Sequence, residues 1–289
     1  YAGDLFGNLW KFDVSDDSPS NWDVFKVGGT PAPLFAACAA DLCTATNRQP
    51  ITSRPTVGRH PNGQGVIVYF GTGQFLEITD NNGPAGGKQT FYAIWDNGAQ
   101  VAGRSELQQQ SILTEGAFTF TAPDASTVTR QLRVTSNNTI AWGAKKGWFL
   151  DLVPPSGTIQ GERQVTNSVL RGGRIIFTTL IPINTDPCNP GGESWLMELD
   201  AQTGSRLSFS PFDLNRDKQF TAGDYIALND LQAPVSGQKL QGGAATTSNP
   251  MAADVIEVKY ISTADGLETV VENPGPNDTG RQTWQQIDQ

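Results

Sequence analysis

"GWFLDLVPPSG" at residues 147–157 and "SWLMELDAQTG" at residues 194–204 share one pattern. In each segment an apolar strand with a tryptophan near its start runs into an acidic or turn residue and then a glycine. The two align without gaps, Trp148 on Trp195, 47 residues apart. A four-stranded propeller blade takes about 40 to 50 residues, so this spacing predicts a β-propeller.

Similar strands recur along the chain and are bounded by Gly, Asn, Asp and Pro, as in "GNLWKFDVSDDS" and "QTFYAIWDNG". We therefore predict an all-β chain, a modified β-propeller of about four to five blades with short inserted helices. Residues 1–289 are interpreted as one C-terminal portion of such a domain. Because blades bury their faces against neighbours, a start inside a strand pattern indicates further blades upstream. A β-sandwich with irregular loops is the alternative.

Helical periodicity is scarce. The best candidates are "SELQQQSIL" at 105–113 and "AGDYIALNDLQ" at 222–232, and each is expected to form two or three helical turns. Glycine (31) and proline (18) are abundant in the 289 residues while charged residues make up 17%, a composition that suits many short strands and turns.

The bulk charge excludes one class of partner. A formal net charge of −9 argues against nucleic acid, which requires clustered Lys and Arg, and makes cations the better candidates. A membrane-spanning helix needs about 20 mainly apolar residues, and the longest apolar stretches are much shorter. No transmembrane segment is therefore expected.

The three cysteines are Cys38, Cys43 and Cys188. Cys38 and Cys43 are close enough in sequence to close a small loop through a disulfide in an oxidising compartment, which leaves Cys188 over. Three free thiols are the alternative.

"DLNRDKQFTAGD" at 213–224 has the spacing of an EF-hand-like calcium loop. Calcium prefers six to eight oxygen ligands, and a 12-residue loop supplies them from positions 1, 3, 5, 7, 9 and 12. Those positions hold Asp213, Asn215, Asp217, Gln219, Thr221 and Asp224, with Gln219 contributing its backbone carbonyl. Lys218 replaces the usual glycine of position 6, and Asp224 is one methylene shorter than the usual Glu. A solvated polar turn is the alternative.

Catalytic patterns are weak. The chain has one histidine, His60 in "GRHPNGQG", which is interpreted as a turn residue, and no Gly-x-Ser-x-Gly nucleophile elbow. The tryptophans, among them Trp284, mostly lie in strand contexts and are assigned to core packing rather than to sugar stacking. We therefore predict a protein that is not an enzyme.

Five segments together resemble the PilY family, the pilus-tip adhesins and assembly factors of type IV pili. They are "YAGDLFGNLWKFD" at 1–13, "RQPITSRPTVGRHPNGQGVIVYFGTGQFLE" at 48–77, "FYAIWDN" at 91–97, "PCNPGGESWLMELDAQTG" at 187–204 and "GRQTWQQI" at 280–287. Members are large and modular, with a variable N-terminal region and a C-terminal modified β-propeller. The chain looks like the last part of that propeller.

The resemblance implies a non-catalytic role with the minor pilins, in pilus assembly, adhesion and twitching motility. It implies export to the pilus tip and cell surface, with a transient periplasmic or outer-membrane stage, and a host-surface ligand bound through the N-terminal region that this chain lacks. The family's regulatory calcium loop lies upstream of "YAGDLFGNLW", so its role is not carried over to residues 213–224.

Two other functions compete with this interpretation. "SWLMELDAQTG" also resembles the repeats of quinoprotein-like dehydrogenases, which use calcium. Those enzymes typically carry adjacent cysteines over the cofactor, whereas four residues separate Cys38 from Cys43. A secreted carbohydrate-binding propeller is the other possibility, with no sugar-site pattern strong enough to name residues.

Overall fold

The computed structural model describes residues 1–183, 191–229, 231–253 and 256–275. Within these ranges the regular structure is all β, apart from five short 3-10 helices, which span Pro19–Asn21, Ile78–Asn81, Pro84–Gly86, Arg104–Glu106 and Ala222–Asp224. In the described part of the chain, no helix is long and apolar enough to cross a membrane. The predicted all-β class is confirmed.

The chain begins with a small three-stranded sheet and two ribbons. The sheet contains β1 (Ala2–Gly3), β2 (Asn8–Trp10) and β7 (Phe35–Ala36). The ribbons pair β3 (Phe12–Asp13) with β4 (Asp23–Val24), and β5 (Lys26–Val27) with β6 (Thr30–Pro31).

The second sheet has five strands. Its order is β11 (Gln108–Gln110), β14 (Gly147–Asp151), β10 (Thr90–Asp96), β9 (Val66–Gly71) and β8 (Thr56–Arg59). β8, β9, β10 and β14 form an antiparallel meander, and β11 adds to β14 in parallel.

The third sheet has six strands. Its order is β12 (Ile112–Thr121), β13 (Thr127–Thr135), β20 (Gly237–Lys239), β17 (Gly191–Asp200), β16 (Arg174–Ile183) and β15 (Val169–Arg171). A hairpin of β18 (Tyr225–Leu228) and β19 (Leu231–Pro234) and a last sheet of β21 (Asn249–Ala253), β22 (Ile256–Thr263) and β23 (Gly266–Glu272) complete the described strands.

The two large sheets are built on the same plan. Each contains four antiparallel strands, β8-β9-β10-β14 and β15-β16-β17-β20, with a long insertion between the third and fourth strand. The first insertion, residues 97–146, sends the β12–β13 hairpin to the neighbouring sheet, where Leu132 lies opposite Gln238. The second insertion, residues 201–236, contains the predicted calcium loop.

This plan corrects the repeat alignment. Trp148 lies on β14, a fourth strand, whereas Trp195 lies on β17, a third strand, so the 47-residue spacing does not join equivalent positions. The equivalent third strands β10 and β17 end at Asp96 and Asp200, 104 residues apart. Third and fourth strands both carry apolar residues on two faces, which explains why their sequences align.

Three hydrophobic cores separate the successive sheets. The first core lies between β1-β2-β7 and the five-stranded sheet, and includes Leu9, Phe35 and Tyr92. The second lies between the two large sheets, where the rings of Phe91 and Phe177 stack at 4.0 Å. The third joins the six-stranded sheet to residues 212–235 and to the last sheet. The sheets thus pack in series, as propeller blades do.

Both segments predicted to be helical are strands with one 3-10 turn each, so that prediction was wrong. Within 105–113, β11 pairs with β14 and β12 begins at Ile112. Within 222–232, Ile226 is buried and Ala227 exposed, the alternation of a strand, and β18 pairs with β19. Isolated helices this short are marginal in water, whereas each strand gains a hydrogen-bonded neighbour.

Replacing Phe177 with alanine should lower the free energy of unfolding by about 3–5 kcal/mol, because it leaves a cavity opposite Phe91 in the second core. Phe6→Ala is the control, because Phe6 is 69% exposed and its loss should change stability by no more than about 0.5 kcal/mol. Urea unfolding followed by tryptophan fluorescence measures both. Equal losses would contradict the assignment of this core.

Candidate metal centre

The predicted calcium loop is fixed to the third core at both ends. Phe212 and Leu214 are fully buried at its start, and Ile226 on β18 is 3% exposed just after its end. The amide nitrogen of Asp213 donates to the carbonyl of Val271 on β23. The twelve residues 213–224 therefore form a closed loop on a rigid base.

Inside the loop the first three predicted ligands are joined by hydrogen bonds. The Asp213 carboxylate accepts from the amide nitrogens of Asp217 and Lys218, each at 3.1 Å. Asn215 Oδ1 accepts from the Asp217 amide at 3.0 Å, and Asn215 Nδ2 donates to Asp217 Oδ2 at 2.9 Å. Asp217 Oδ1 in turn accepts from the Gln219 amide at 2.7 Å. These contacts bend the chain around Asp213.

Asp224 closes the loop from the other end. Its carboxylate is fully buried and accepts from the amide nitrogens of Leu214 at 2.8 Å and Thr221 at 3.1 Å. Thr221 Oγ1 accepts from the Gly223 amide at 3.2 Å and caps the 3-10 turn. Gln219 is exposed, and only its backbone takes part in the contacts described.

The loop backbone contains two left-handed residues that are not glycine. Lys218 has φ +59°, as its place at position 6 predicts, and Arg216 has φ +66°, which the sequence did not indicate. Each such conformation costs roughly 1–2 kcal/mol for a residue with a Cβ. Conformations of this kind persist where the surroundings determine them, here through the amide contacts to Asp213 and Asn215.

The acidic side chains are held close enough to disfavour their ionised forms. Burial raises the pKa of Asp213, and the charge of Asp217 adds to the effect. Burial also raises the pKa of Asp224, as do the charges of Asp213 and Asp217. A bound cation would offset both causes.

The donor set fits calcium in its chemistry. Three carboxylates, one amide oxygen and a backbone carbonyl are the hard oxygen ligands that calcium prefers. Each carboxylate oxygen that accepts one amide hydrogen keeps a second lone pair. The described residues nonetheless include no group of three or more His, Cys, Asp or Glu side chains already arranged around one metal position.

A groove of about 590 Å³ runs beside the loop and brings three cations to it. Arg216 and Lys218 come from the loop itself, and Arg130 comes from β13 and donates from Nε to the Leu214 carbonyl at 3.3 Å. Burial lowers the pKa of Arg130, and the charge of Arg216 lowers it further. Arg130 lies on a hairpin that is 83 residues before Asp213 in the sequence, so the spacing of the loop could not reveal it.

The other residues singled out in the sequence take part in packing or in a disulfide where the structure describes them. His60 follows β8 at a turn, as predicted, and packs against Trp95, with ring centroids 4.2 Å apart, and edge-on to Trp142 at 4.3 Å. Cys38 and Cys43 form the predicted disulfide, with Cα atoms 5.5 Å apart. Cys188 and Trp284 lie outside the described residues.

The fold and the inserted loop define the class of protein: a β-propeller portion whose blades carry long insertions. A family model described as the PilY1 beta-propeller domain matches residues 1–124. A structure titled "Crystal structure of Pseudomonas aeruginosa PilY1 C-terminal domain" superimposes with a TM-score of 0.77 at 30% identity, covering 96% of this chain and 57% of that chain.

Curated relatives are similar over most or all of the chain. The type IV pilus biogenesis factor PilY1 of Pseudomonas aeruginosa is 34% identical over 317 residues, covering 100% of this chain and 26% of the relative. A PilY1 homolog of Xylella fastidiosa is 39% identical over 207 residues, covering 71% of this chain and 13% of that protein. The chain belongs to the PilY1 family, and it spans about a quarter of the Pseudomonas relative.

Asp224→Ala should lower the free energy of unfolding by about 1–3 kcal/mol in the presence of a calcium chelator, because the buried amide of Leu214 loses its acceptor. Asp224→Asn keeps an acceptor oxygen at the same place and should lose less than half as much. Urea unfolding of both variants in chelator measures the difference. Equal losses would show that the amide contacts do not stabilise the loop.

Proposed function

We propose that residues 1–289 form the C-terminal portion of a pilus-tip propeller that supports type IV pilus assembly together with the minor pilins. The supporting observation is the similarity to PilY1 proteins, which extends over the whole chain and coincides with a superimposable fold. Adhesion and twitching motility are proposed as consequences of a pilus built in this way. The disulfide between Cys38 and Cys43 supports export to an oxidising compartment, with the pilus tip and cell surface as the final location.

The role we propose is not catalytic. The chain's single histidine has its ring packed between two tryptophans, where it is 1% exposed, so it is poorly placed to exchange protons with a substrate. No observation favours a quinone-dependent enzyme or a sugar-binding site over a protein-binding role. Reconstitution with a quinone followed by dye reduction would expose an enzyme, and a glycan array would expose a sugar-binding propeller.

We further propose that residues 213–224 bind one calcium ion through Asp213, Asn215, Asp217, Asp224 and the Gln219 carbonyl, with Thr221 acting through its hydroxyl or a water. The ion would neutralise carboxylates that burial and mutual repulsion now disfavour. Its task would be structural, since the loop ends belong to the third core. Arg130, Arg216 and Lys218 would reduce the affinity by repulsion.

Isothermal titration of the intact chain with calcium should give heat for the wild type and none for Asp217→Ala. Asp217 links Asn215 to Gln219 and carries one of the three carboxylates, so its loss removes a ligand and loosens the loop. Asp265→Ala is the matched control, because Asp265 lines the same groove but is exposed outside the loop. Indistinguishable heats for the wild type and Asp217→Ala would remove the calcium proposal.

A chimera tests the pilus role. Replacing the homologous segment of Pseudomonas aeruginosa PilY1 with this chain should preserve surface pili and twitching, and minor pilins should co-purify with the chimera. Trp195→Asp in the same chimera is the control for lost folding, since it places a charge in the second core. A chimera that is exported at normal levels but supports neither pili nor minor-pilin binding would contradict the proposed function.

A further inference from the structure

A cluster of ionised side chains is buried between the six-stranded sheet and the last sheet. Arg174 on β16, Glu198 on β17, Glu257 and Lys259 on β22, and Glu272 on β23 are each no more than 1% exposed. We call these five residues the ionic cluster. None of them belongs to the candidate calcium loop, although Glu272 forms a backbone bridge with Phe212 at its base.

Two arginines form ion pairs with two of the three carboxylates of the ionic cluster. Arg174 Nη1 lies 2.8 Å from Glu198 Oε2, and the same guanidinium donates to the carbonyls of Asn273 and Pro274. Arg171, at the rim of the cluster, pairs with Glu257 Oε2. Glu198 and Glu257 are therefore balanced by two guanidinium groups.

Lys259 Nζ contacts all three carboxylates: Glu198 Oε1 at 2.5 Å, Glu257 Oε1 at 3.3 Å, and Glu272, which has no arginine partner among the described residues. Lys259 lies opposite Val270 and Glu257 lies opposite Glu272, so the side chains of Lys259 and Glu272 are diagonal neighbours on one face of the β22–β23 hairpin. Glu272 Oε2 contacts Lys259 Nζ, and neither oxygen of Glu272 accepts a hydrogen bond from another described group. A fully buried carboxylate with one polar contact among the described residues, here an amine nitrogen, is unusual because buried polar groups normally gain hydrogen-bond partners.

Burial makes the neutral form of Lys259 accessible. Desolvation lowers the pKa of Lys259, against the opposing influence of Glu198, its principal carboxylate neighbour. A proton passed from Lys259 to Glu272 removes two charges from a site of low dielectric, and the remaining charges stay balanced. The result is an unprotonated amine held against a carboxylic acid, with water excluded.

We propose that Lys259 and Glu272 condense into an intramolecular amide bond. The lone pair of Lys259 Nζ attacks Cδ of protonated Glu272, and Glu198 Oε1, 2.5 Å from Nζ, accepts the proton that the nitrogen releases. Glu198 then returns this proton to the departing hydroxyl. One N–C bond forms, one C–O bond breaks and one water leaves, with no oxidant or activating cofactor required.

Free amines and carboxylic acids do not condense to amides readily in water, whereas the ionic cluster holds the two groups in contact and excludes water. Groups held in reacting positions reach effective molarities of about 10⁵ to 10⁸ M, and the dry cluster opposes hydrolysis of the product. The bond would join β22 to β23 covalently beside Phe212 and Val271, the backbone contacts of the candidate calcium loop. The proposal is independent of calcium binding and of the pilus role.

Peptide mapping tests the bond in the intact protein after denaturation, reduction and trypsin digestion. Trypsin can cut after Lys239, Lys259 and Arg281 in this region. An amide on Lys259 blocks the middle cut, so we expect a single peptide covering 240–281 that is lighter by one water and contains an internal bridge from Lys259 to Glu272. Complete cleavage after Lys259 in the wild type would overturn the proposal.

The chain supplies internal controls. Lys239 pairs with Glu193 at 2.6 Å, but both side chains are solvent-accessible, so cleavage after Lys239 should be normal. Water loss at Asp265-Gly266 through a cyclic imide would lighten the same peptide but would leave cleavage after Lys259 intact. A lighter peptide without blocked cleavage would therefore count against the amide.

Two variants separate the roles within the cluster. Lys259→Arg keeps the positive charge but lacks the nucleophilic amine, so trypsin should cut after position 259 and the loss of water should disappear. Glu198→Gln keeps the shape but accepts protons poorly, and it should slow amide formation by about 100-fold or more, followed by peptide ratios at intervals after synthesis. Unchanged kinetics in Glu198→Gln would remove Glu198 from the mechanism.

Discussion

The burial of both faces of the two large sheets is the constraint on which the rest of the structure depends. On β10, Phe91 and Ala93 point into the second core while Tyr92 and Ile94 point into the first. Strands of this kind must be apolar at nearly every position, and the sheets they form must be covered on both sides. Packing in series follows, because each sheet provides the cover that its neighbour needs. The polar parts of the two insertions lie at the edges of the sheets.

The same constraint explains what could be predicted from the sequence. The apolar runs in "VIVYFG" and "SWLMELD" identify buried strands, and their recurrence indicates a repeated blade. Strand equivalence could not be inferred, because β14 and β17 experience the same two-sided burial although they occupy different places in their meanders. The helix predictions for residues 105–113 and 222–232 were wrong for a related reason. Gln108 begins a strand whose partner, β14, lies 40 residues away, and Tyr225 begins the first strand of a hairpin with β19; helix propensity reports neither pairing.

For the candidate metal centre, the spacing of the oxygen-bearing residues predicted the shape of the loop. The contacts that distant strands make with the loop could not be predicted from the sequence. The alternation from Asp213 to Asp217 predicts a bent loop with converging oxygens. The amides of Asp217 and Lys218, which donate to Asn215 Oδ1 and to the Asp213 carboxylate, form such a bend. Arg130 comes from a hairpin inserted in another blade, and no spacing rule links it to residue 213. Nor could sequence show that Glu198, Lys259 and Glu272 meet, since each looks like one charged residue in an amphipathic strand.

The third core links the loop and the ionic cluster mechanically. Residues 212–214 pair with β23 through the amide of Asp213 and the bridge from Phe212 to Glu272, so a displacement of β23 moves Asp213, the first candidate ligand of the loop. Buried ion pairs are weak contributors to stability on their own, because desolvation offsets much of their attraction. The two left-handed residues of the loop, Arg216 and Lys218, lie on either side of Asp217, so the backbone around this candidate ligand has little freedom to adjust when β23 moves.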